Sequence, residues 1–164
     1  ALMTAPLITN LHGFNSSVND DIKIAVVGCG GRGTGATVQA LKASKQVKLV
    51  AMAEAFKDNL EKSLKNIKKE LPNGNIDVPM DRQFVGVDAY KKAIDLADVV
   101  ILCTPPGFRP MHFRYAVGNV NHVFMEKPVA VDPVGIRQVI AAARLPAEWE
   151  LTATAAPRRA ALCR

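Results

Sequence analysis

What this sequence lacks narrows the field before any motif is read. Aromatic residues are scarce, 5% of 164 residues with a single tryptophan, and they are not interleaved with the basic ones. Stacking of nucleic-acid bases needs that interleaving, so the net charge of +6 argues little for such a partner. Arg158, Arg159 and Arg164 supply part of the charge in a tail with no acid after Glu150. Lys57, Lys62, Lys65, Lys68 and Lys69 alternate with Asp58, Glu61 and Glu70, as on a solvated helix face. No run of 18 apolar residues exists, so no helix here is suited to span a membrane. Cys29, Cys103 and Cys163 are odd in number, far apart and in no CxxC pair, which suits neither a disulfide scaffold nor a zinc site. Internal repeats and low-complexity segments are absent too. With 49% hydrophobic and 22% charged residues, the composition excludes a disordered, collagen-like or coiled-coil chain and gives room for one ordinary domain.

What is present falls into three stretches. Residues 1–14 are small and apolar and residues 16–21 form a polar linker, so 1–21 reads either as the remnant of a secretory signal or as an arm packed on the domain. From Ile22 the pattern becomes that of βα units. Ile22–Val27 is a β-branched run of the kind buried on both faces of a sheet, and a helix is expected over 34–43. Val47–Ala53 repeats the buried-strand signal. A long amphipathic helix follows over 56–71, with Leu60, Leu64, Ile67 and Leu71 on one face. A weak strand at 82–85 and a helix at 88–96 with Asp88 as its cap come next. A strong strand at 98–104 and a helix over 111–117 precede a strand at 122–125. Asp132-Pro133 then opens a helix to about Arg144. Five such alternations give an α/β fold, a doubly wound, mostly parallel, Rossmann-like sheet in a single domain over 22–145. Residues 146–164 change character, becoming rich in alanine and arginine, and read as a truncated end or a frame-shifted translation, although 151–155 has the makings of a sixth strand.

The chemistry-bearing residues sit at strand ends. Gly28-Cys29-Gly30-Gly31-Arg32-Gly33 is a GxGxxG lying between the first strand and the first helix. Gly28 permits a tight turn, Gly30 lets backbone approach a pyrophosphate, and Gly33 lets the helix pack closely on the strand. Phosphate oxygens would meet free N–H groups at the positive end of the helix dipole. Glu54, at the end of the second strand and 26 residues after Gly28, is placed to accept hydrogen bonds from adenosine ribose hydroxyls. A carboxylate there repels a 2′-phosphate, which favours NAD over NADP, and Lys57 one turn on softens that repulsion. The alternative for Glu54 is a solvent-exposed acid at a strand end. Cys29 has no catalytic base beside it and reads as a small loop side chain. Thr104-Pro105-Pro106 and Glu126-Lys127-Pro128 close the fourth and fifth strands, so both should edge the same crevice. A lysine just after a strand can donate a proton or clamp a reacting hydroxyl, and it can also be an ordinary surface residue.

Taken together, Gly28 to Gly33, Glu54, Thr104-Pro105 with His112 and Ala116, and Glu126-Lys127-Pro128 resemble the N-terminal half of the Gfo/Idh/MocA oxidoreductases over residues 22–145. The resemblance implies that Lys127 lies near the nicotinamide and the substrate as the catalytic residue, and that the bond before Pro128 is often cis. It also implies that Thr104 and Pro105 line the nicotinamide side. The cofactor set it implies comprises Gly28, Gly30, Gly31, Arg32, Gly33, Glu54, Thr104, Pro105, His112, Glu126, Lys127 and Pro128, with no metal. His112 follows a loop longer than the family's usual spacing, and a core or surface histidine is an equal account of it.

The GGRG form of the loop and the apolar leader are similar to a branch common in exported bacterial proteins, which implies a twin-arginine signal upstream of Ala1 and a periplasmic or otherwise exported location, with the cytoplasm as the alternative. Family members are much longer, and their second, open-sheet domain supplies further substrate contacts and the surface for a homo-oligomer. By this resemblance the sequence is expected to lack that domain.

The expected function is therefore the nucleotide-binding domain of an NAD(P)-dependent oxidoreductase that moves a hydride at a sugar or cyclitol hydroxyl. Three alternatives stand beside it: a glycosidase-like cycle on tightly bound NAD, a non-catalytic NAD-binding fragment, and a flavodoxin-like domain with a chance glycine loop.

Overall fold

The structure, a computed structural model, describes residues 21–120 and 122–149. The expectations for the N-terminal arm and for the tail from residue 150 on, including the sixth strand and Cys163, lie outside the described residues, whereas the last helix, expected to end near Arg144, runs on through 146–149 to Trp149. Within them the order is β1 (Ile22–Val27), α1 (Gly31–Ala43), β2 (Val47–Glu54), α2 (Lys57–Glu70), a 3-10 turn at Met80–Arg82, β3 (Gln83–Val85), α3 (Ala89–Ile94), β4 (Val99–Leu102), α4 (Arg109–Asn119), β5 (His122–Met125) and α5 (Pro133–Trp149). The five strands form one all-parallel sheet in the order β3-β2-β1-β4-β5. The fold is thus the doubly wound α/β sheet that the alternating pattern implies, with helices on both faces.

Two hydrophobic clusters hold the layers together. One joins Ala25, Val27 and Leu102 to α3, α4 and α5 through Ile94, Phe113 and Val139. The other joins Ile24, Val26 and Met52 to α1 and α2 through Leu41, Leu60 and Ile67. Strand residues therefore alternate between the two faces, as a strand covered on both sides must. Along the β1–β2 pair the register slips once. Ile24 lies opposite Leu49 and Ala25 opposite Ala51, leaving Val50 as the extra residue. The bulge lets consecutive Val50 and Ala51 serve the same cluster while Leu49 and Met52 serve the other.

Several boundaries differ from the sequence expectation, each for a local reason. The first helix begins at Gly31, three residues early, because the glycine turn runs straight into it. Its fourth N–H, from Thr34, already meets Gly30 O at 2.9 Å. The third helix is shorter than expected, and Asp88 does not cap it, since its carboxylate pairs with Lys91 Nζ at 2.7 Å instead. The fourth helix begins at Arg109, where Pro110 suits a first turn. Asp132 does cap α5, accepting from the Gly135 N–H at 2.7 Å.

The strand order reverses at β1, which is flanked by β2 on one side and β4 on the other. Chain leaving β1 and β4 therefore diverges to opposite faces and opens a crevice above their carboxyl ends, where ligands bind in sheets of this kind.

Candidate functional site

The glycine turn forms one wall of that crevice. Gly28 has φ +92°, and a Cβ there would lie 2.7 Å from Cys103 C and Thr104 N. At Gly33 a Cβ would lie 1.9 Å from Gly28 O. These two positions are glycine because the protein itself fills the space. Gly30 and Gly31 are different, since a Cβ at either would meet nothing within 4 Å. The first turn of α1 contains no acidic residue, and no side chain caps it. A 13-residue helix thus presents an uncapped, positively polarised end with open room beside it, which fits a pyrophosphate.

Glu54 leans over the same turn. Its Oε2 accepts the Cys29 N–H at 2.6 Å and its Oε1 the Ala55 N–H at 2.8 Å. The carboxylate is fixed in place by main chain, with lone pairs left for further donors such as vicinal hydroxyls. Lys57, one turn on, is exposed and pairs with Glu61 at 3.5 Å. A cavity of about 300 Å³ opens next to Glu54, lined among others by Gly28, Phe56, Tyr90, Thr104, Phe108 and His112. A broader groove of about 640 Å³ runs from Gly30 between α1 and α2, past Lys62 and Ser63. The smaller cavity is the one that combines apolar walls with a fixed carboxylate, as a nucleoside site requires.

His112 belongs to the floor of the smaller cavity. The longer loop before it is taken up as a turn, with the Phe108 N–H on Pro105 O at 3.0 Å, so α4 still brings the ring to the crevice. Its Nδ1 lies 3.1 Å from Thr104 Oγ1. The ring sits 4.2 Å from that of Tyr90, centroid to centroid, and stacks on Phe108 at 6.2 Å. Nε2 is buried and finds no partner among the described residues. Burial pushes the imidazole down to about 4, so at neutral pH it is uncharged.

The Glu126-Lys127-Pro128 turn follows β5, the strand beside β4. Glu126 is buried, and its Oε1 receives hydrogen bonds from Arg32 Nε at 2.7 Å and from Arg32 Nη2. The Arg32 bond holds the Glu126 carboxyl below the usual carboxylate range. This pair ties the glycine turn on α1 to the end of β5, 94 residues away in sequence. Lys127 and Pro128 are exposed, and the Lys127–Pro128 peptide is cis. The two nearby thiols are held in the protonated form at neutral pH. Burial pushes Cys29 far above the ordinary thiol range and Cys103 up to about 11.

Of the residues singled out from the sequence, Gly28, Glu54, Thr104, Pro105 and His112 line the smaller cavity and Gly30 and Gly31 the broader groove. Arg32 and Glu126 are joined by their ion pair, Gly33 is buried under the glycine turn, and Lys127 and Pro128 stand exposed after β5 and line neither cavity. Sequence reasoning missed Tyr90, Phe108 and Arg109. Tyr90 carries no local signal, because only the packing of α3 on α4 brings it to the cavity. Arg109 is legible in hindsight as a charged residue set between Phe108 and Pro110 at the start of a helix.

A parallel sheet with a glycine turn at its switch point and a fixed acid at the end of the second strand defines a dinucleotide-binding Rossmann domain. Residues 22–146 match the oxidoreductase family with an NAD-binding Rossmann fold, GFO_IDH_MocA, and the chain belongs to that family. Similar solved structures include myo-inositol 2-dehydrogenase from Lactobacillus plantarum, 24% identical over 77% of this chain and 34% of that one, with a TM-score of 0.60. Scyllo-inositol dehydrogenase from Lactobacillus casei, with bound NAD(H) and scyllo-inositol, is 23% identical over 87% of this chain and 36% of its own, with a TM-score of 0.60. The WlbA dehydrogenase from Chromobacterium violaceum, in complex with NADH and UDP-GlcNAcA, is 23% identical over 78% and 33%, with a TM-score of 0.58. At these identities the likeness is one of fold. The chain spans about a third of the length of these proteins. No curated protein matches the sequence significantly.

Proposed function

We propose that this chain is the cofactor-holding part of an oxidoreductase that moves a hydride between NAD and a hydroxyl-bearing carbon of a sugar or cyclitol. The observation that supports the reading is the uncapped helix end beside Gly30 and Gly31 together with the fixed Glu54 carboxylate, with Lys127 exposed just past the end of β5 on the same sheet.

Gly30, Gly31 and the first-turn amides of α1 would hold the pyrophosphate, and Glu54 the adenosine ribose. The basic residue one turn past Glu54, Lys57, is paired with Glu61 at 3.5 Å and so does less to offset a 2′-phosphate. This supports NAD over NADP. The nicotinamide, when bound, supplies the hydride acceptor. Lys127 would hold the substrate hydroxyl oxygen and take its proton as the carbon is oxidised. Glu126 has its carboxylate engaged by Arg32 and would leave that exchange to Lys127. Inositol and sugar-nucleotide complexes among the similar structures support a polyhydroxylated substrate.

Calorimetric titration with NAD and, separately, NADP tests the first half of this reading. Saturable NAD binding, about tenfold or more tighter than NADP, is expected, with loss of binding in Gly30→Val at an unchanged melting temperature. A folded chain that binds neither dinucleotide would overturn it. In the whole protein, release of NADH on adding inositols or hexoses supports the dehydrogenase, whereas turnover with no added NAD would point to a glycosidase-like cycle.

A further inference from the structure

Lys127 and Pro128 are exposed, so what fixes their turn must come from behind it. Arg109, the first residue of α4, is 6% exposed. Its Nη1 donates to Glu126 O at 2.8 Å and also to Pro128 O. These carbonyls lie one on each side of Lys127. Arg109 is bonded there to main chain and not to a carboxylate, and its buried Nε has no partner among the described residues. The arrangement is costly. A cation is desolvated at a helix N-terminus, where the helix dipole disfavours positive charge. An apolar side chain beside Pro110 and Phe113 would pack there at less expense. Arg32 stands in the same unfavourable place, the first turn of α1, and holds the Glu126 side chain. Two arginines at the starts of two helices thus grip one tripeptide, Arg32 by its carboxylate and Arg109 by its backbone.

We propose that Arg109 is the positioning residue of the site, setting where Lys127 stands by tying the main-chain carbonyls on either side of it. The assignment rests on the reading of Lys127 given above. Arg109 touches neither cofactor nor substrate and acts only through the turn.

Hydrogen–deuterium exchange on the chain without cofactor, compared for parent, Arg109→Met and Arg109→Lys, tests the grip itself. Arg109→Met should raise exchange over 126–130 by about tenfold or more, the loss expected from one or two charge-assisted hydrogen bonds, and leave β1 and β4 unchanged. Arg109→Lys should restore most of the protection, since an ammonium can also donate to two carbonyls from one atom. Unchanged exchange over 126–130, or an equal rise across the sheet, would overturn the proposal. If Arg109→Met does not fold, Arg109→Gln makes the same comparison, with exchange raised if the proposal holds and parental if it does not.

A second readout follows acetylation of Lys127 by a small acylating reagent, resolved by mass spectrometry with and without NAD. Protection by NAD is expected in the parent and in Arg109→Lys, and loss of most of it in Arg109→Met. Full protection retained in Arg109→Met would count against the positioning role. No protection in the parent would overturn the reading of Lys127, while the exchange data would still decide the role of Arg109.

Discussion

Four glycines in one turn are not equivalent, and the difference is physical. Gly33 is held to glycine by Gly28 O, so Gly33→Ala must push α1 off β1 and should cost about 3 kcal/mol or more in denaturant unfolding. Gly35, on the same helix with nothing within 4 Å of a Cβ, makes the control. Gly35→Ala should be stabilising by roughly 0.5–1 kcal/mol, and equal losses at both positions would contradict the packing argument. His112 gives a pH prediction. Its pKa falls from 6.5 to about 4 on folding, so between those values the unfolded chain binds the extra proton. Stability should therefore decline as the pH drops through that window, by a total on the order of 3 kcal/mol. Urea midpoints measured from pH 6.5 to 5, above the carboxylate range, should show a slope that His112→Gln flattens. An identical slope in the two proteins would rule His112 out as its source.

At the level of elements, periodicity does most of the work. Leu60, Leu64 and Ile67 recur on one face of α2 and are buried, while the five lysines of its sequence run are exposed, as an amphipathic helix demands. Ile67→Ala should cost about 3 kcal/mol, and Leu71→Ala less, because Leu71 is only half-buried beyond the last turn. Thermal melts of the pair decide this, and equal losses would mean the helix register matters less than its composition. Asp132→Ala, which removes the α5 cap, should cost about 1 kcal/mol by the same measurement. Asp88 looks the same in sequence yet does not cap α3, because Lys91 is within reach of its carboxylate. Type and placement of elements follow from apolar spacing. Whether a given acid caps a helix depends on which competitor lies one turn away.

For the whole molecule, the consequence of the strand order is that residues far apart in sequence meet at one edge. The Arg32–Glu126 pair crosses the switch point and joins the two halves of the sheet. A ligand lying across the crevice would contact both halves, so it should stabilise the entire domain cooperatively. At a hundredfold excess over its Kd, NAD should raise the unfolding free energy by about 2.7 kcal/mol, with no such gain in Gly30→Val. Differential scanning calorimetry with and without NAD reads this directly. A two-step melt in the presence of NAD would show that the halves are not coupled.

The alternation of buried runs and amphipathic segments determined the α/β class, the parallel sheet and nearly every element, because both signals are local. The GxGxxG and its distance from Glu54 likewise lie within one βαβ stretch, and the order of residues alone was enough to mark them as a nucleotide site. Tertiary structure decided the rest. It showed that Gly28 and Gly33 are spent on protein packing while Gly30 and Gly31 stay open, and that Glu54 is held by the Cys29 amide. It placed Tyr90 against His112 and set Arg109 behind Lys127. Those contacts join segments brought together only by the winding of the sheet, and no spacing along the chain encodes a distance across it.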